Sequence, residues 1–305
     1  MPTDAILTTR DLGKDFGDLK AVVGLDLDVP TGEFFGLLGP NGAGKTTAIS
    51  MICGVVTPTR GTASVGGHDI RKDSSAARRL IGLAPQEYSL YEELSARQNL
   101  TFFGRLYGLN GSDLQQAGDR VLAIAGLTDR DREPVANFSG GMKRRLNLAV
   151  GLLHTPKVLI CDEPTVGVDP QSRVHLFDAL RELNDSGTTI LYTSHYMEEV
   201  QELCGRIGIM DNGELVAHDT LDGLLASHGK ESLEITVEGD VAAIAAALPD
   251  AEVEDDHLSL PPQDHLGDIV RTVEDLGGRI KNLEVRRSDL ETVFLNLTGR
   301  HLRDS

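Results

Sequence analysis

Several segments of the chain have the apolar patterns of β-strands. Residues 5–9 and 21–29 are predicted to form antiparallel strands, and in the second of them apolar residues alternate with aspartate, as in a half-buried strand. Residues 32–39, 157–163 and 188–195 instead contain uninterrupted apolar runs, which are typical of buried strands. These patterns predict an α/β fold whose first two strands pair antiparallel.

Residues 87–137 change to a helical pattern. Apolar side chains recur at helical spacing in two segments, SARQNLTFFGRLYGL and SDLQQAGDRVLAIAGL. Together they predict a helical insert within a domain that extends over residues 1–218. Residues 219–231 are predicted to form a short helix that links this domain to the next.

The last part of the chain, residues 232–305, is predicted to be a separate accessory domain. A strand, a helix, a hairpin around Asp255 and Asp256, an amphipathic helix and another strand follow one another. This βαββαβ order is the ferredoxin-like arrangement, in which one face of a sheet packs against two helices. The second domain is therefore predicted to be of the α+β class.

Composition narrows the possible functions. The 305 residues carry a formal net charge of -18, which disfavours nucleic acid as a partner because such binding needs a basic surface. Cys53, Cys161 and Cys204 are too widely spaced for a zinc site or a disulfide scaffold, so buried, reduced thiols are expected. The longest apolar stretch, residues 241–248, is far shorter than the roughly 18 residues of a membrane span. We therefore expect a cytoplasmic chain.

Residues 39–47, GPNGAGKTT, match the phosphate-loop pattern G-x-x-x-x-G-K-[ST] and lie between a predicted strand and a predicted helix. The glycines let the loop curl with its N–H groups directed at anionic oxygens, and the helix N-terminus adds positive potential. Lys45 adds a full positive charge, and the hydroxyl group of Thr46 can ligate Mg²⁺. The motif predicts a phosphate-binding site. The alternative, a chance match in a glycine-rich turn, is disfavoured by the flanking elements.

Two carboxylates end the predicted strand at 157–163. Because the carboxyl ends of parallel strands border the ligand crevice, Asp162 is suited to hold Mg²⁺ through water and Glu163 to orient or deprotonate an attacking water. Gln86 and His195 end two further predicted strands. By pattern alone, paired acids at a strand end also fit a solvated turn, and a lone histidine also fits a hydrogen-bonded structural residue.

A second potential anion-binding site begins at Ser139, Gly140 and Gly141, which directly precede a helix with an apolar face. Taken alone, this tripeptide is more typical of an ordinary helix N-cap. Asp169 follows in a predicted tight turn. Phe16, between the first two strands, fits either packing in the core or stacking on an adenine ring.

The motifs GPNGAGKTT, APQE, SGGMKRR, VLICDEP, VDP and TSH occur in this order within residues 5–218, and together they resemble the ATP-binding-cassette (ABC) family. The resemblance implies a P-loop NTPase cassette with a mixed central sheet and an antiparallel β subdomain, and with ATP and Mg²⁺ as cofactors. It assigns nucleotide binding to Phe16, Gly39, Asn41, Gly42, Gly44, Lys45, Thr46, Thr47, Ser139, Gly140, Gly141 and Asp169. It assigns the metal to Thr46, Gln86 and Asp162, and catalysis to Glu163, His195 and Gln86, with His195 contacting the γ-phosphate. Met142 and Phe138 stand where the family's commonest signature has Gln and Leu, and we expect only subtle effects from them.

The resemblance further implies an ATP hydrolase that acts as a homodimer, because each site needs the phosphate loop of one chain and the Ser-Gly-Gly element of the other. SGGMKRR, together with LETVFLNLTG near the C-terminus, is similar to the drug- and polysaccharide-exporter branch that includes daunorubicin-resistance subunits. The expected partner is a separate integral membrane permease, with this chain peripheral on the cytoplasmic face of the cell membrane.

Contact with the permease is expected in the helical insert, next to Gln86, unless the apolar side chains there only pack the insert against the core. The anchors that this segment offers are Tyr88, Leu90, Tyr91 and Leu94. An alternative function is mechanical work on nucleic acid or ribosomes, which fits less well because the insert is short and the charge is acidic. A phosphoryl-transfer kinase is a third class, but it leaves the Ser-Gly-Gly element and His195 without a purpose.

Overall fold

The structure is a computed structural model, and it describes residues 4–229, 232–254, 257–262, 265–286 and 289–299. Its contacts divide the chain into two units, the first ending at Leu221 and the second beginning at Asp222. Among the described residues, no helix combines the length and the apolar character that crossing a membrane requires.

The first unit alternates strands and helices. In chain order its elements are β1 (Ala5–Phe16), β2 (Leu19–Pro30), β3 (Phe34–Leu38), α1 (Lys45–Ile52), β4 (Arg60–Val65), β5 (His68–Asp69), α2 (Ser74–Arg79), β6 (Ile81–Ala84), α3 (Ala96–Leu106), α4 (Gly111–Ile124), α5 (Gly140–Leu152), β7 (Val158–Asp162), α6 (Pro170–Asp185), β8 (Thr189–Ser194), α7 (Met197–Leu203), β9 (Arg206–Asp211) and β10 (Glu214–Thr220). Two 3₁₀ turns, Thr128–Arg130 and Val135–Asn137, follow α4.

These strands form two sheets. One has the order β2-β1-β4-β5 and is antiparallel, and the other has the order β10-β9-β3-β8-β7-β6. In the second sheet all neighbours pair in parallel except β10 and β9. Every residue of β3, β7 and β8 is buried, which explains the apolar runs FFGLL, VLIC and ILY within them. The predicted mixed sheet and antiparallel subdomain are confirmed.

The strand register brings the predicted site residues to one edge of the larger sheet. Leu38 at the end of β3 pairs with Ser194 at the end of β8, and Asp162 at the end of β7 pairs with Thr193. Because these strands are parallel, the loops that follow their carboxyl ends meet at the same edge. The phosphate loop and the segments after β6, β7 and β8 therefore lie together.

The helical insert consists mainly of α3 and α4. Ser95 begins α3 with a capping box, in which its hydroxyl and the Gln98 side chain each accept a hydrogen bond from the backbone N–H of the other residue. The buried Asn99 side chain exchanges two hydrogen bonds with the backbone of Tyr91, at 2.8 and 3.0 Å. These bonds attach the segment that follows Gln86 to α3.

The second unit has its own sheet and core. Its elements are α8 (Leu221–His228, whose first residue belongs to the first unit), β11 (Ser232–Glu238), α9 (Val241–Ala247), β12 (Glu252–Glu254), β13 (His257–Leu260), α10 (Leu266–Asp275), β14 (Arg279–Arg286) and α11 (Leu290–Thr298). The strand order is β12-β13-β11-β14, with every pair antiparallel. This is the predicted ferredoxin-like arrangement. The hairpin turn at Asp255 and Asp256 lies outside the described residues.

Candidate active site

The phosphate loop joins the end of β3 to the start of α1, and its shape requires glycine at two positions. Gly44 has a φ angle of 101°, and a Cβ atom there would lie 2.5 Å from the carbonyl oxygen of Ala21. A Cβ atom on Gly39 would lie 2.3 Å from the carbonyl oxygen of Met210. The loop backbone lies so close to β2 at Gly44 and to β9 at Gly39 that only glycine, which has no side chain, fits at these two positions.

A cavity of about 460 Å³ lies beside this loop, within the range of roughly 300–1,000 Å³ that is typical of small-molecule sites. The predicted site residues that line it are Phe16, Asn41, Gly42, Gly44, Lys45, Thr46, Thr47, Gln86 and Glu163. Phe16 is 51% exposed, so it does not pack in the core. Its ring lies on the cavity wall, with Nζ of Lys14 4.9 Å from the ring centre, and this exposed position favours the stacking alternative.

One wall of the cavity was missed by the sequence analysis. It is formed by Leu19, Lys20, Ala21, Asn212 and Gly213. The N–H group of Gly213 donates a hydrogen bond to the carbonyl oxygen of Ala43 at 3.0 Å, which attaches the hairpin between β9 and β10 to the phosphate loop. The Asn-Gly pair signals a tight hairpin, but its place beside the loop depends on the pairing of β9 with β3.

Lys45 is buried and contacts three oxygen atoms. Its Nζ atom donates to the carbonyl oxygens of Gly39 at 2.6 Å and Pro40 at 3.0 Å. It also lies 3.2 Å from Oε1 of Glu163. Burial lowers the pKa of Lys45, and the carboxylates of Glu163 and Asp162 act in the opposite direction. A phosphate group at Lys45 would compete with Glu163 for the ammonium group.

Glu163 is the point at which the predicted catalytic residues meet. It follows β7 with a φ angle of 45°, which is uncommon for a residue with a side chain, and its N–H group donates to the Thr193 hydroxyl at 3.0 Å. Its Oε2 atom accepts a hydrogen bond from Nε2 of Gln86 at 3.4 Å. The same oxygen lies 3.2 Å from Nδ1 of His195, with the geometry of an electrostatic contact rather than a hydrogen bond. With Lys45 on the other oxygen, this buried carboxylate does not fit a solvated turn.

Asp162, the last residue of β7, is buried beside the first turn of α1. Its carboxylate accepts hydrogen bonds from the hydroxyl groups of Thr193, at 2.7 Å, and Thr46. Burial raises the pKa of Asp162, whereas these hydrogen bonds and the charge of Lys45 oppose the shift. Thr46, Asp162 and Gln86 supply hydroxyl, carboxylate and amide oxygens, the donors that Mg²⁺ prefers. The donor set therefore fits Mg²⁺.

The Ser-Gly-Gly element starts α5, as predicted for a helix N-terminus. The hydroxyl group of Ser139 accepts a hydrogen bond from the N–H group of Met142 at 3.3 Å and caps the helix. A Cβ atom on Gly141 would lie 2.1 Å from Oγ of Ser172, so glycine is needed where α5 packs against α6. In the described structure, Ser139, Gly140 and Gly141 do not line the cavity.

Asp169 is the N-cap of α6. Its carboxylate accepts a hydrogen bond from the N–H group of Ser172 at 2.9 Å, and hydrogen bonding to Ser172 lowers the pKa of Asp169. Like the Ser-Gly-Gly element, Asp169 does not line the cavity in the part of the chain that the structure describes. The structure thus collects the phosphate loop, Gln86, the two acids and His195, but leaves this second group apart from the cavity.

Arg144, which the sequence analysis did not single out, connects the two groups. It is only 4% exposed, and its guanidinium group donates to the backbone carbonyls of Pro85, Gln86 and Val166 at 3.1, 2.8 and 3.3 Å. The guanidinium carbon also lies 4.9 Å from the ring centre of Tyr88, whose hydroxyl donates to the carbonyl of Gly140 at 3.2 Å. Within the run KRR, nothing in the sequence distinguishes the buried arginine from its neighbours.

Comparison with known proteins places this geometry in a family. Residues 22–166 match the ABC transporter family. The linearmycin resistance ATP-binding protein LnrL of Bacillus subtilis is 42% identical, over 98% of this chain and 100% of the relative. The daunorubicin resistance ATP-binding protein DrrA3 of Streptomyces coeruleorubidus is 40% identical, over 97% of this chain and 96% of the relative. The Nod factor export ATP-binding protein I of Cupriavidus metallidurans is 36% identical, over 98% of this chain and 99% of the relative.

A solved structure described as an ATP binding subunit of an ABC transporter has the same cassette fold. It is 30% identical in sequence, superposes with a TM-score of 0.66, and covers 72% of this chain and 92% of its own. The resemblance inferred from the motifs is confirmed. The chain therefore belongs to the ABC transporter family, as an ATP-hydrolysing, ATP-binding subunit of the export type.

Proposed function

We propose that two copies of this chain form a homodimer that binds ATP and Mg²⁺ and powers a separate integral membrane permease. That permease exports a drug, a lipid or another small molecule, and the chain lies on the cytoplasmic face of the cell membrane. The observation that carries the hydrolytic part is the approach of Lys45, Gln86 and His195 to the carboxylate of Glu163. The drug-resistance and export relatives support the transport part.

In hydrolysis, Lys45 and the N–H groups of the phosphate loop bind phosphate oxygens, and Phe16 stacks on the adenine ring. Glu163 accepts a proton from the attacking water as its oxygen bonds to the γ-phosphorus, and the bond from that phosphorus to the bridging oxygen of ADP breaks. His195 contacts the γ-phosphate. Thr46, Asp162 and Gln86 would hold Mg²⁺, which when bound neutralises the charge on the β- and γ-phosphates.

The Ser-Gly-Gly element supports a homodimer. An exposed helix N-terminus with two glycines is suited to bind an anion, because its N–H groups and the helix dipole favour negative charge. Since Ser139 does not line the cavity of its own chain, its anion is the nucleotide bound by a second copy. Each ATP then lies between the phosphate loop of one subunit and Ser139 of the other.

Mixing two inactive variants tests this arrangement. Lys45→Ala and Ser139→Arg should each abolish ATP hydrolysis alone, whereas mixed dimers should regain activity, because one of their two sites combines an intact phosphate loop with an intact Ser139. Phosphate release is measured after co-refolding or co-expression, with chemical crosslinking to show that mixed dimers form. Mixed dimers without recovered activity would mean that the site is built within one chain.

Tyr88 is one of the expected permease anchors, but it also has contacts within its own chain. Tyr88 donates a hydrogen bond to Gly140 and lies against Arg144. A substitution at Tyr88 would therefore disturb the start of α5 as well as the surface. Tyr91 is 49% exposed, and its ring packs edge-on against Phe102, itself 39% exposed, with ring centres 4.9 Å apart. We propose that this aromatic pair, with Leu90 and Leu94, contacts the permease.

Replacing Tyr91 with glutamate should release the chain from membranes at least about 10-fold, since truncating an aromatic hot-spot residue of an interface costs about 2 kcal/mol or more. Basal ATP hydrolysis should be unchanged, because Tyr91 does not line the cavity in the described structure. The chain is measured in membrane and soluble fractions from cells that also make the permease. Leu276→Glu, at an exposed apolar position of the second unit, is the matched control. Recovery with ribosomes instead of membranes would favour the mechanical alternative.

A further inference from the structure

Outside the cavity, one buried carboxylate gathers three hydroxyl groups. Glu199, in the first turn of α7, is 2% exposed. Its Oε2 atom accepts hydrogen bonds from the hydroxyls of Thr165, Tyr192 and Ser194, at 2.9, 2.9 and 3.0 Å. Its other carboxylate oxygen lies 3.9 Å from the guanidinium group of Arg173. Burial of a carboxylate is costly, so these donors are needed to offset the loss of water.

One of the donors is adjacent to His195. Ser194 immediately precedes it, and the Ser194 hydroxyl also accepts a hydrogen bond from the N–H group of Tyr196 at 2.9 Å. A single hydroxyl group therefore ties the backbone on both sides of His195 to the carboxylate of Glu199. Because the Glu199 side chain is buried and multiply bonded, it is a fixed reference point for the imidazole.

A second donor lies in the segment that follows Glu163. Thr165 is two residues beyond Glu163, and its carbonyl oxygen accepts a hydrogen bond from the N–H group of Val168 at 3.0 Å. This turn leads directly to Asp169, the N-cap of α6. The Thr165 hydroxyl thus attaches the start of the turn to the same carboxylate that holds the end of β8.

We propose that Glu199 is a positioning residue for ATP hydrolysis, which fixes His195 and the turn at 165–169 relative to Glu163. It acts through Ser194 and Thr165, and among the described residues it is not part of the cavity lining. The inference rests on the proposed contact of His195 with the γ-phosphate. A purely structural Glu199 would instead affect folding stability without a specific effect on turnover.

The first test replaces Glu199 with glutamine, which keeps the size of the side chain and weakens it as an acceptor. We expect kcat to fall about 10-fold while KM for ATP stays within about twofold, because misplacement of a group in the transition state lowers kcat rather than binding. Glu198→Gln, the same change at the exposed neighbouring position, should leave both constants unchanged. A fall in thermal stability with normal kcat would overturn the proposal.

Two of the three hydroxyl groups provide a second test that does not depend on the stability of the Glu199 variant. Ser194→Ala should lower kcat to a similar extent as Glu199→Gln. Tyr192→Phe removes a hydrogen bond of similar length to the same oxygen, but the Tyr192 hydroxyl is bonded to Thr165 and not to Ser194, so this change should lower the unfolding midpoint and reduce kcat by less than Ser194→Ala does. Equal losses of kcat in Ser194→Ala and Tyr192→Phe would overturn the proposal, because the hydroxyl group next to His195 would then have no specific effect on turnover.

The third test separates this inference from the proposed role of His195. If Glu199 acts through His195, adding Glu199→Gln to His195→Ala should reduce the residual turnover by less than about twofold, because coupled residues are not additive. The same loss in both backgrounds would show that Glu199 does not act through His195, and would overturn that part of the inference. Full turnover in His195→Ala itself would instead refute the role of His195. If residual turnover is too slow to measure, the comparison of Ser194 with Tyr192 decides.

Discussion

Glu163→Gln should bind MgATP and hydrolyse it at least about 100-fold more slowly than the unmodified chain, the loss expected when a positioned general base is removed. Glutamine preserves the shape of the side chain but cannot accept a proton from water. The carboxylate it replaces is 5% exposed and within reach of Gln86 and His195, so no bulk water can readily take its place. Phosphate release at saturating ATP measures the effect, with nucleotide binding measured separately.

The geometry adds an expectation for binding. Oε1 of Glu163 lies 3.2 Å from Nζ of Lys45, so the carboxylate competes with a phosphate for the ammonium group. The neutral amide is a weaker competitor, and ATP affinity in Glu163→Gln should be equal to or higher than that of the unmodified chain. Glu238→Gln, at an exposed position of the second unit, is the control. Unchanged turnover in Glu163→Gln would remove this residue from the role of base.

Lys45→Ala should instead lose nucleotide binding, with ATP affinity at least about 100-fold weaker, since a charge-assisted hydrogen bond contributes up to about 3 kcal/mol and each 1.4 kcal/mol is tenfold. Lys45 supplies the full positive charge of the phosphate loop, and burial prevents water from screening it. Titration with a fluorescent ATP analogue measures the affinity. Normal affinity would contradict the assignment of Lys45 to phosphate binding.

A double variant distinguishes loss of binding from loss of folding. Without Lys45, the buried carboxylate of Glu163 lacks its cation, and breaking a buried ion pair in this way costs about 3 kcal/mol of unfolding free energy. Lys45→Ala combined with Glu163→Gln removes the unpaired charge, so denaturant unfolding should show recovered stability while ATP binding stays lost. If stability and ATP binding return together, the loss in the single variant was one of folding.

Much of the fold could be predicted from local patterns. The buried strands β3, β7 and β8 each contain a short apolar run in the sequence, because both of their faces are covered. The βαββαβ order of the second unit could also be predicted, because strands and helices differ in the period of their apolar residues. Sheet order, by contrast, depends on which strands pair.

Part of the site could also be predicted, because it depends on residues that are close together in the sequence. The phosphate loop is a contiguous motif whose glycines, lysine and threonine act together through the local backbone. The carboxylates after β7 could be placed at the ligand edge because parallel strands end there. Whether they formed a solvated turn, and whether Phe16 packed in the core, was left open by the pattern.

Only the tertiary structure decided those alternatives and the contacts between distant segments. It buries Glu163 between Lys45, Gln86 and His195, and leaves Phe16 exposed on the cavity wall. It also selects Arg144 from three consecutive basic residues as the buried one. By itself, the sequence determined the motifs, the element types and the family resemblance. Burial and ion pairing depend on how residues far apart in the chain pack together, and no local pattern of apolar and polar positions specifies that.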